Sequence, residues 1–330
     1  MGRCQIGVNS FTVTIMTKKK ISVFTACYNE EGNVADLIEA VKNIFEKLPQ
    51  YTYEHVFIDN CSDDQTVAIL RTIASENKNI KVIVNARNFG HIRSPYHGMM
   101  QCKGDAVISL VADFQDPPEM IPRFLEKWEE GNKIVIGVKS HSKENPLMFS
   151  LRKSFYSLLA RVSDSDATPV QNFTGFGLYD QQFISILRSL QDPYPYFRGL
   201  ITELGFARYE IPYVQPVRKS GKTKNNFFTL YDMAMLGFVN HSKLPLRLSA
   251  FIGFVTSLLS FLIALTYLIL KLVYWDGFEL GIAPLVIGVF FFSSVQLFFI
   301  GIIGEYIGAI HTQVRKRPFV VEKERINFEE

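Results

Sequence analysis

Three polar clusters in the first third of the chain contain the side chains best suited to chemistry. They are Tyr28–Glu31, Asp59–Thr66 and Ala112–Glu119. In the last cluster Asp113 and Gln115 stand two residues apart, so on one loop both side-chain oxygens can turn toward a single metal ion. Oxygen ligands suit Mg2+ or Mn2+, and such an ion stabilises a diphosphate as it leaves. The pattern predicts a divalent-cation site at Asp113 and Gln115.

Two acids in these clusters also have a simpler interpretation, as turn or helix-capping residues. Asp116 precedes Pro117 and stands three residues before Glu119, an arrangement typical of a helix N-terminus. We interpret Asp116 as a cap. For Asp59, a turn role and a ligand-binding role are both compatible with the sequence.

Each cluster follows an apolar run that predicts a strand, over residues 21–26, 55–58 and 106–111. Further strands are predicted at 80–84 and 133–137, with helical patterns between them. This alternation predicts an α/β fold with an open, mostly parallel, Rossmann-like sheet, whose ligands lie beyond the carboxyl ends of the strands. Neither GxGxxG nor GxxxxGK[ST] occurs, so a bound nucleotide must be held by another device.

The back of the chain carries two runs without a charge, Leu248–Leu270 and Leu280–Gly304. Each is long enough to cross about 30 Å of hydrocarbon as a helix. A buried soluble hairpin is the alternative, but little protein would remain to cover it. Basic residues precede the first run and follow the second, which predicts a multi-pass protein with both termini in the cytoplasm. The basic residues are Lys243, Arg247, Arg315, Lys316 and Arg317.

Composition excludes some classes of protein. The net charge of +3 over 330 residues offers no field for nucleic-acid binding. The four cysteines have neither zinc-site spacing nor the density of a disulfide framework, which predicts reduced thiols. Met16, followed by three lysines after Thr17, is expected to be the natural start. The predicted organisation is an N-terminal extension (1–20), a cytoplasmic domain (21–224), a juxtamembrane amphipathic helix (225–245), a transmembrane hairpin (246–310) and a cytoplasmic tail (311–330).

Three further motifs extend the pattern along the chain: NARNFG at 85–90, RKSGKTK at 218–224 and GEYIG at 304–308. Together with the three clusters they resemble family 2 inverting glycosyltransferases, in the polyprenyl-phosphate branch that includes dolichyl-phosphate mannose synthases and bactoprenol glucosyltransferases. The resemblance covers residues 21–318. It implies a GT-A-type fold and a metal-dependent inner-membrane enzyme that transfers a hexose from a UDP-glucose-like nucleotide-sugar to a polyprenyl phosphate. It also implies a homo-oligomer.

The resemblance assigns roles residue by residue. It implies a metal site at Asp113 and Gln115, which with Arg218 and Lys224 form the expected catalytic set. The acceptor phosphate is expected at Lys139, Arg152, Arg218 and Lys224. The expected nucleotide-sugar site comprises Ala26, Tyr28, Glu30, Asp59, Asn60, Val111, Ala112 and Asp113. His91, Arg93 and His97 are expected to line the pocket.

Four positions depart from the family pattern. Val111 and Asn60 replace acids, Ala26 stands where proline is common, and Gly175 stands where relatives carry an acid. A lipid phosphate is already anionic near neutral pH and needs no base, whereas a hydroxyl acceptor does. Two alternatives stay open: an enzyme acting on the hydroxyl of a lipid-linked saccharide, and a non-catalytic membrane partner that binds nucleotide-sugars.

Overall fold

A computed structural model describes residues 18–140, 170, 172–190, 192, 195–216, 244–274, 282–314 and 318–328. Within them, an eight-stranded sheet is flanked by helices. The strands are β1 (Lys19–Cys27), β2 (Tyr51–Asp59), β3 (Ile80–Asn85), β4 (Ala106–Val111), β5 (Ile134–Lys139), β6 (Gly177–Asp180), β7 (Arg208–Tyr213) and β8 (Glu322–Ile326). The helices are α1 (Val34–Glu46), α2 (Thr66–Glu76), α3 (Gly90–Met100), α4 (Ile121–Glu129, after a 3-10 turn at Pro118–Met120), α5 (Gln181–Leu190), α6 (Phe197–Glu203), α7 (Leu244–Val273) and α8 (Ile282–Val314).

The sheet has the strand order β7-β5-β6-β4-β1-β2-β3-β8. Strands β3, β2, β1 and β4 are mutually parallel, β5 pairs in parallel with β7, and β6 and β8 pair antiparallel with their neighbours. The predicted open, mostly parallel sheet is confirmed. From β1 the chain moves to β2 on one side and later to β4 on the other, which makes the β1/β4 boundary a switch point where ligands bind in such sheets.

Both faces of the central strands are buried, which explains why they appear in the sequence as continuous apolar runs. On one face Ile21 and Val23 pack with the apolar stripe of α1. On the other face Phe24 and Ile58 pack beneath α3. A Cβ added at Gly98 of α3 would lie 2.5 Å from the Phe24 ring and 2.8 Å from Ile58, so this glycine lets α3 sit directly on the sheet.

The two long apolar helices contain candidate membrane spans at Leu246–Val273 and Ile287–Val314. Each span has 28 residues, and their mean hydropathies are 2.3 and 2.1. At 1.5 Å per residue each is roughly 42 Å long, more than the hydrocarbon thickness. Their most apolar stretches are not buried by the part of the chain that the structure describes. The helices therefore suggest membrane association.

The strand β8 was not predicted, because residues 311–330 look like a charged, solvated tail. The structure places Glu322–Ile326 antiparallel to β3, at the edge of the sheet. An edge strand pairs through its backbone and tolerates charged side chains, so its sequence need not be apolar. At the other end, β1 begins at Lys19, inside the predicted extension. The predicted helix at 225–245 lies almost entirely outside the described residues.

Candidate active site

The carboxyl ends of β1, β2 and β4 meet at one edge of the sheet. In the strand register Ala26 lies beside Val111, and Cys27 lies beside Asp59. The predicted side chains after these three strands are therefore neighbours in space. This edge is called the carboxyl edge below.

Each of these strands is followed by a sharp turn in which a non-glycine residue takes a left-handed backbone conformation. The φ angles are 58° at Asn29, 65° at Cys61 and 62° at Phe114. Such a conformation costs an L-residue roughly 1–2 kcal/mol, least for asparagine. Strain of this kind clusters at functional sites, where the surrounding structure holds it in place.

The loops after β1 and β2 are joined by hydrogen bonds, and residues 28–31 and 62–66 are called the paired loops. The backbone N–H of Asn29 donates to Ser62 Oγ at 2.9 Å, and that of Glu30 donates to Thr66 Oγ1 at 2.8 Å. In return, Asn29 Oδ1 accepts from the N–H of Asp63 at 2.9 Å. Tyr28 and Glu30, which are predicted to bind the nucleotide-sugar, thus lie on a loop whose shape these hydrogen bonds hold without a ligand.

Asp59 is fully buried at the base of the paired loops. Its carboxylate accepts from the backbone N–H of Ser62 at 2.9 Å and from the Ser62 hydroxyl. Burial raises the pKa of Asp59, while these hydrogen bonds act in the opposite direction and the charge of Asp64 adds to the increase. Hydroxyl and N–H groups, and not charged side chains, thus make these hydrogen bonds to the carboxylate.

Asn60 explains one of the departures from the family pattern. Its Oδ1 accepts from Asn85 Nδ2 at 3.2 Å and from the N–H of Phe89 at 2.8 Å. Its Nδ2 donates to Asn88 Oδ1 at 2.9 Å and to the carbonyl of Gly90 at 3.3 Å. Only an amide can accept and donate in this way, since a carboxylate has no N–H. Asn60 thus fixes the NARNFG loop that leads into α3.

Asp113 and Gln115 lie on the loop after β4. Asp113 is 5% exposed, and its Oδ1 accepts from the backbone N–H of Gln115 at 3.1 Å, while the Gln115 side chain is half-buried. A carboxylate and an amide oxygen are a donor set that suits Mg2+ or Mn2+. The described residues contain no group of three or more His, Cys, Asp or Glu that could hold a metal. An ion held here would need further ligands from a bound molecule and water.

Asp116 is not the predicted helix cap. The 3-10 turn begins at Pro118 without a side-chain cap, and Asp116 instead accepts from Tyr213 Oη at 3.1 Å and from the N–H of Val111 at 3.3 Å. Burial raises the pKa of Asp116 to about 7, against the Tyr213 hydrogen bond and the Lys139 charge that lower it. These two hydrogen bonds direct the Asp116 side chain back toward the end of β4. They close the loop that carries Asp113 and connect that loop to β7.

A cavity of about 160 Å³ opens on the α3 side of the sheet, beside the carboxyl edge. Ser109 of β4 lines it, and Val111, two residues further along the same strand face, is 39% exposed. A Cβ added at Gly175 would meet no atom of the described residues within 4 Å. Polar side chains of the lining include His91, Tyr96, Thr174, Tyr196 and Arg198.

Comparison with known proteins agrees with this geometry. The family model described as "Glycosyl transferase family 2" matches residues 22–189, which run from within β1 to α5 and include the loops of the carboxyl edge. The chain belongs to glycosyl transferase family 2. As a family 2 glycosyltransferase, it is assigned to enzymes that transfer sugars.

Relatives of this family 2 glycosyltransferase match it over nearly their whole length. An uncharacterized glycosyltransferase, YkcC, of Bacillus subtilis is 32% identical over 92% of this chain and 93% of its own. The SfII prophage-derived bactoprenol glucosyl transferase of Shigella flexneri is 30% identical over 92% and 98%. Among solved structures, glucosyl-3-phosphoglycerate synthase from Mycobacterium tuberculosis is 19% identical, with a TM-score of 0.45 over 67% of this chain and 76% of that one.

The remaining predicted residues of the glycosyltransferase fall into two groups. Lys139 ends β5 beside Tyr213 in the register, and its charge acts on Asp116, so it lies at the carboxyl edge. Ala112 is buried behind the Asp113 loop. Arg152, Arg218 and Lys224 lie outside the described residues.

Sequence reasoning missed two residues of the site. Tyr213 comes from a strand without an apolar run, and Arg198 lies far along the chain from the clusters. Of the three residues expected to line the pocket, His91 lines this cavity, whereas Arg93 and His97 do not, and His97 Nε2 instead contacts Glu322 Oε1 of β8 at 2.5 Å. The contact of His97 could not be anticipated because its partner, Glu322, belongs to the unpredicted strand β8.

Proposed function

We propose that this glycosyltransferase moves a hexose from a UDP-glucose-like nucleotide-sugar to a polyprenyl phosphate at the cytoplasmic face of the inner membrane. The observation that carries the proposal is the position of the apolar helices in the chain. Strand β7 precedes them and β8 follows them, and both belong to one sheet. A hairpin that crosses the bilayer twice returns the chain to the side it left, so this order fits two crossings.

The names of the relatives support the acceptor. Several relatives about 30% identical over more than nine-tenths of this chain are named bactoprenol glucosyl transferases. A membrane-held catalytic sheet is well placed for a lipid whose phosphate lies among the headgroups. Two crossings would leave both termini on one side of the membrane, and the basic residues that flank the spans favour the cytoplasmic side. Oligomerisation through the apolar helices stays a prediction.

In the proposed site, the nucleotide lies against the paired loops and Asp59. Its diphosphate lies over Asp113 and Gln115, which would hold Mg2+ or Mn2+. Bound there, the ion would offset the charge of the departing nucleoside diphosphate. The hexose extends past Val111 into the cavity, whose polar groups would contact its hydroxyls.

The proposed reaction needs no general base. An anionic oxygen of the lipid phosphate attacks the anomeric carbon, the bond from that carbon to the diphosphate oxygen breaks, and the nucleoside diphosphate leaves with the electron pair. Attack from the opposite face inverts the configuration. The glycine at position 175, where relatives carry an acid, is consistent with an acceptor that is already deprotonated. Lys139, and from the sequence Arg152, Arg218 and Lys224, would balance the phosphate charge.

The test is transfer by the purified full-length chain in detergent, with labelled UDP- and GDP-sugars, undecaprenyl phosphate and Mg2+ or Mn2+. We expect labelled lipid from UDP-glucose, with the inverted anomer, and its loss on chelation with EDTA. Donor binding by calorimetry without transfer from any donor would identify a non-catalytic binder and overturn the proposal. Transfer only to a lipid-linked saccharide would overturn the acceptor.

A further inference from the structure

The segment after the second apolar helix pairs with the edge of the sheet. Residues 318–328, called the clasp, include β8, which pairs with β3 from Val82 to Asn85. The N–H of Ala86 donates to the carbonyl of Val321 at 2.9 Å, which extends the pairing. The clasp therefore covers an edge strand of the catalytic sheet.

The clasp is anchored to α2 by specific contacts. Arg71 Nη2 lies 2.6 Å from Glu324 Oε2. Asn327, with a left-handed φ of 60°, donates from Nδ2 to the carbonyls of Ala74 at 2.6 Å and Ile80 at 2.9 Å. A side chain that binds backbone carbonyls around the start of β3 fixes the clasp in register.

The clasp also holds α3, the helix that lines the cavity. His97 Nε2 contacts Glu322 Oε1 at 2.5 Å, and Arg325 Nη2 donates to Gln101 Oε1 at 2.8 Å. The ring of Phe319 packs edge-on against the ring of Tyr96, with centroids 5.7 Å apart. Phe319 and Glu322 thus contact the C-terminal half of α3, and Arg325 contacts the residue that follows the helix.

Tyr96 connects the clasp to the cavity directly. It lines the cavity, is 8% exposed, and donates from Oη to the carbonyl of Leu187 in α5 at 3.0 Å. Its ring is therefore held by Phe319 and by α5 while it forms part of the cavity wall. Tyr96 is thus the single side chain between Phe319 and the cavity, so a substitution at Phe319 can alter the cavity wall by displacing Tyr96.

We propose that Phe319 is a positioning residue for sugar transfer, which sets the cavity wall through Tyr96 and α3. The inference rests on the proposed function, in which the cavity takes the hexose. Within the described residues, the clasp contacts α2, α3, β3 and Ala86, and none of these contacts falls on the paired loops that would hold the nucleotide. The clasp should therefore affect sugar selection and leave nucleotide binding unchanged.

The experiment compares Phe319→Ala with Phe328→Ala in the full-length chain. Phe328 is a matched control in the same clasp, and its ring faces Lys81 and Arg325, not Tyr96. We measure kcat/KM for UDP-glucose and UDP-galactose, and the Kd of UDP by calorimetry. For Phe319→Ala we expect kcat/KM with the preferred sugar to fall on the order of tenfold, because small displacements at a reacting site are costly. The ratio between the two sugars should shrink, and the Kd of UDP should stay within about twofold, since the paired loops are untouched.

The sugar ratio separates positioning from instability, because partial unfolding lowers both rates by the same factor. Phe319→Leu, which keeps an apolar contact, should recover most of the ratio. If Phe319→Ala does not fold, Glu322→Gln tests the contact with His97 instead. It should likewise lower kcat/KM for the preferred sugar and reduce the ratio between the two sugars. An unchanged sugar ratio in the folded variant, or an equal change in Phe328→Ala, overturns the inference. A wild-type chain that transfers no sugar to lipid would instead overturn the proposed function.

Discussion

The two ends of the parallel strands hold buried acids in opposite ways. At the amino ends, Glu54 of β2 is 3% exposed and contacts Lys20 Nζ at 2.5 Å and Lys81 Nζ at 2.8 Å. At the carboxyl edge, uncharged hydroxyl and N–H donors contact the carboxylates of Asp59 and Asp116. The acid at the amino ends is neutralised within the protein, and those at the carboxyl edge are held mainly by dipoles.

The pKa directions follow from this difference. Burial alone would raise the pKa of Glu54, but hydrogen bonds from Lys20, Lys81 and Ser22 outweigh it and lower the pKa to about 2. Burial raises the pKa of Asp59 and that of Asp116 at the other end. A carboxylate satisfied by lysines contributes to stability, whereas carboxylates held by dipoles favour the arrival of a cation. The comparison therefore contrasts a structural end of the sheet with the end where we propose that ligands bind.

The largest expected effect comes from removing the acid proposed to hold the metal. Asp113→Asn keeps the shape of the side chain but removes its charge, and we expect sugar transfer to fall on the order of 10³-fold, about 4 kcal/mol. The measurement is transfer to undecaprenyl phosphate over a Mn2+ titration. Glu119→Gln, an exposed acid on the next turn, is the control and should transfer normally. Full activity in Asp113→Asn would remove the metal assignment and the contrast between the two ends.

At the amino ends, the expected effect is on stability and depends on pH. The pKa of Glu54 is lowered on folding, so its contribution is present above the ordinary glutamate pKa and is lost as pH falls toward about 2. Glu54→Gln should lower the free energy of unfolding at pH 7 by about 3 kcal/mol. The difference in free energy of unfolding between the wild type and Glu54→Gln should become smaller as pH falls below about 4.5. Urea denaturation in detergent, followed by circular dichroism, measures it.

The control for Glu54→Gln is Glu76→Gln, an exposed acid at the end of α2. It should change the free energy of unfolding by less than about 0.5 kcal/mol at any pH. A Glu54→Gln deficit that stays constant between pH 7 and pH 3 would show that its lysine contacts do not determine the stability.

The sequence predicts the two ends unequally, for physical reasons. The carboxyl edge could be found because clusters such as Tyr28–Glu31 follow apolar runs directly, and parallel strands bring such positions together. The Glu54 site could not, because Lys20 and Lys81 lie on other strands and become its neighbours only through the register. The same applies to Tyr213, which meets Asp116 through the pairing of β7 with β5. Contacts between residues on different strands depend on the strand register, which local sequence patterns do not show.

The smallest expected effect tests whether Asn60 belongs to the structure of the carboxyl edge or to ligand binding. Asn60→Asp removes the two N–H donors that Asn88 and Gly90 accept, leaving polar groups around a buried position without partners. We expect a loss of about 2 kcal/mol in the free energy of unfolding, within the range for a lost buried donor. Thermal unfolding should show a melting temperature lowered by several degrees. Asn43→Asp, at an exposed position of α1, should leave it unchanged. If Asn60→Asp unfolds normally but binds UDP more weakly, Asn60 contacts the nucleotide itself, and the carboxyl edge is less rigid than its hydrogen bonds indicate.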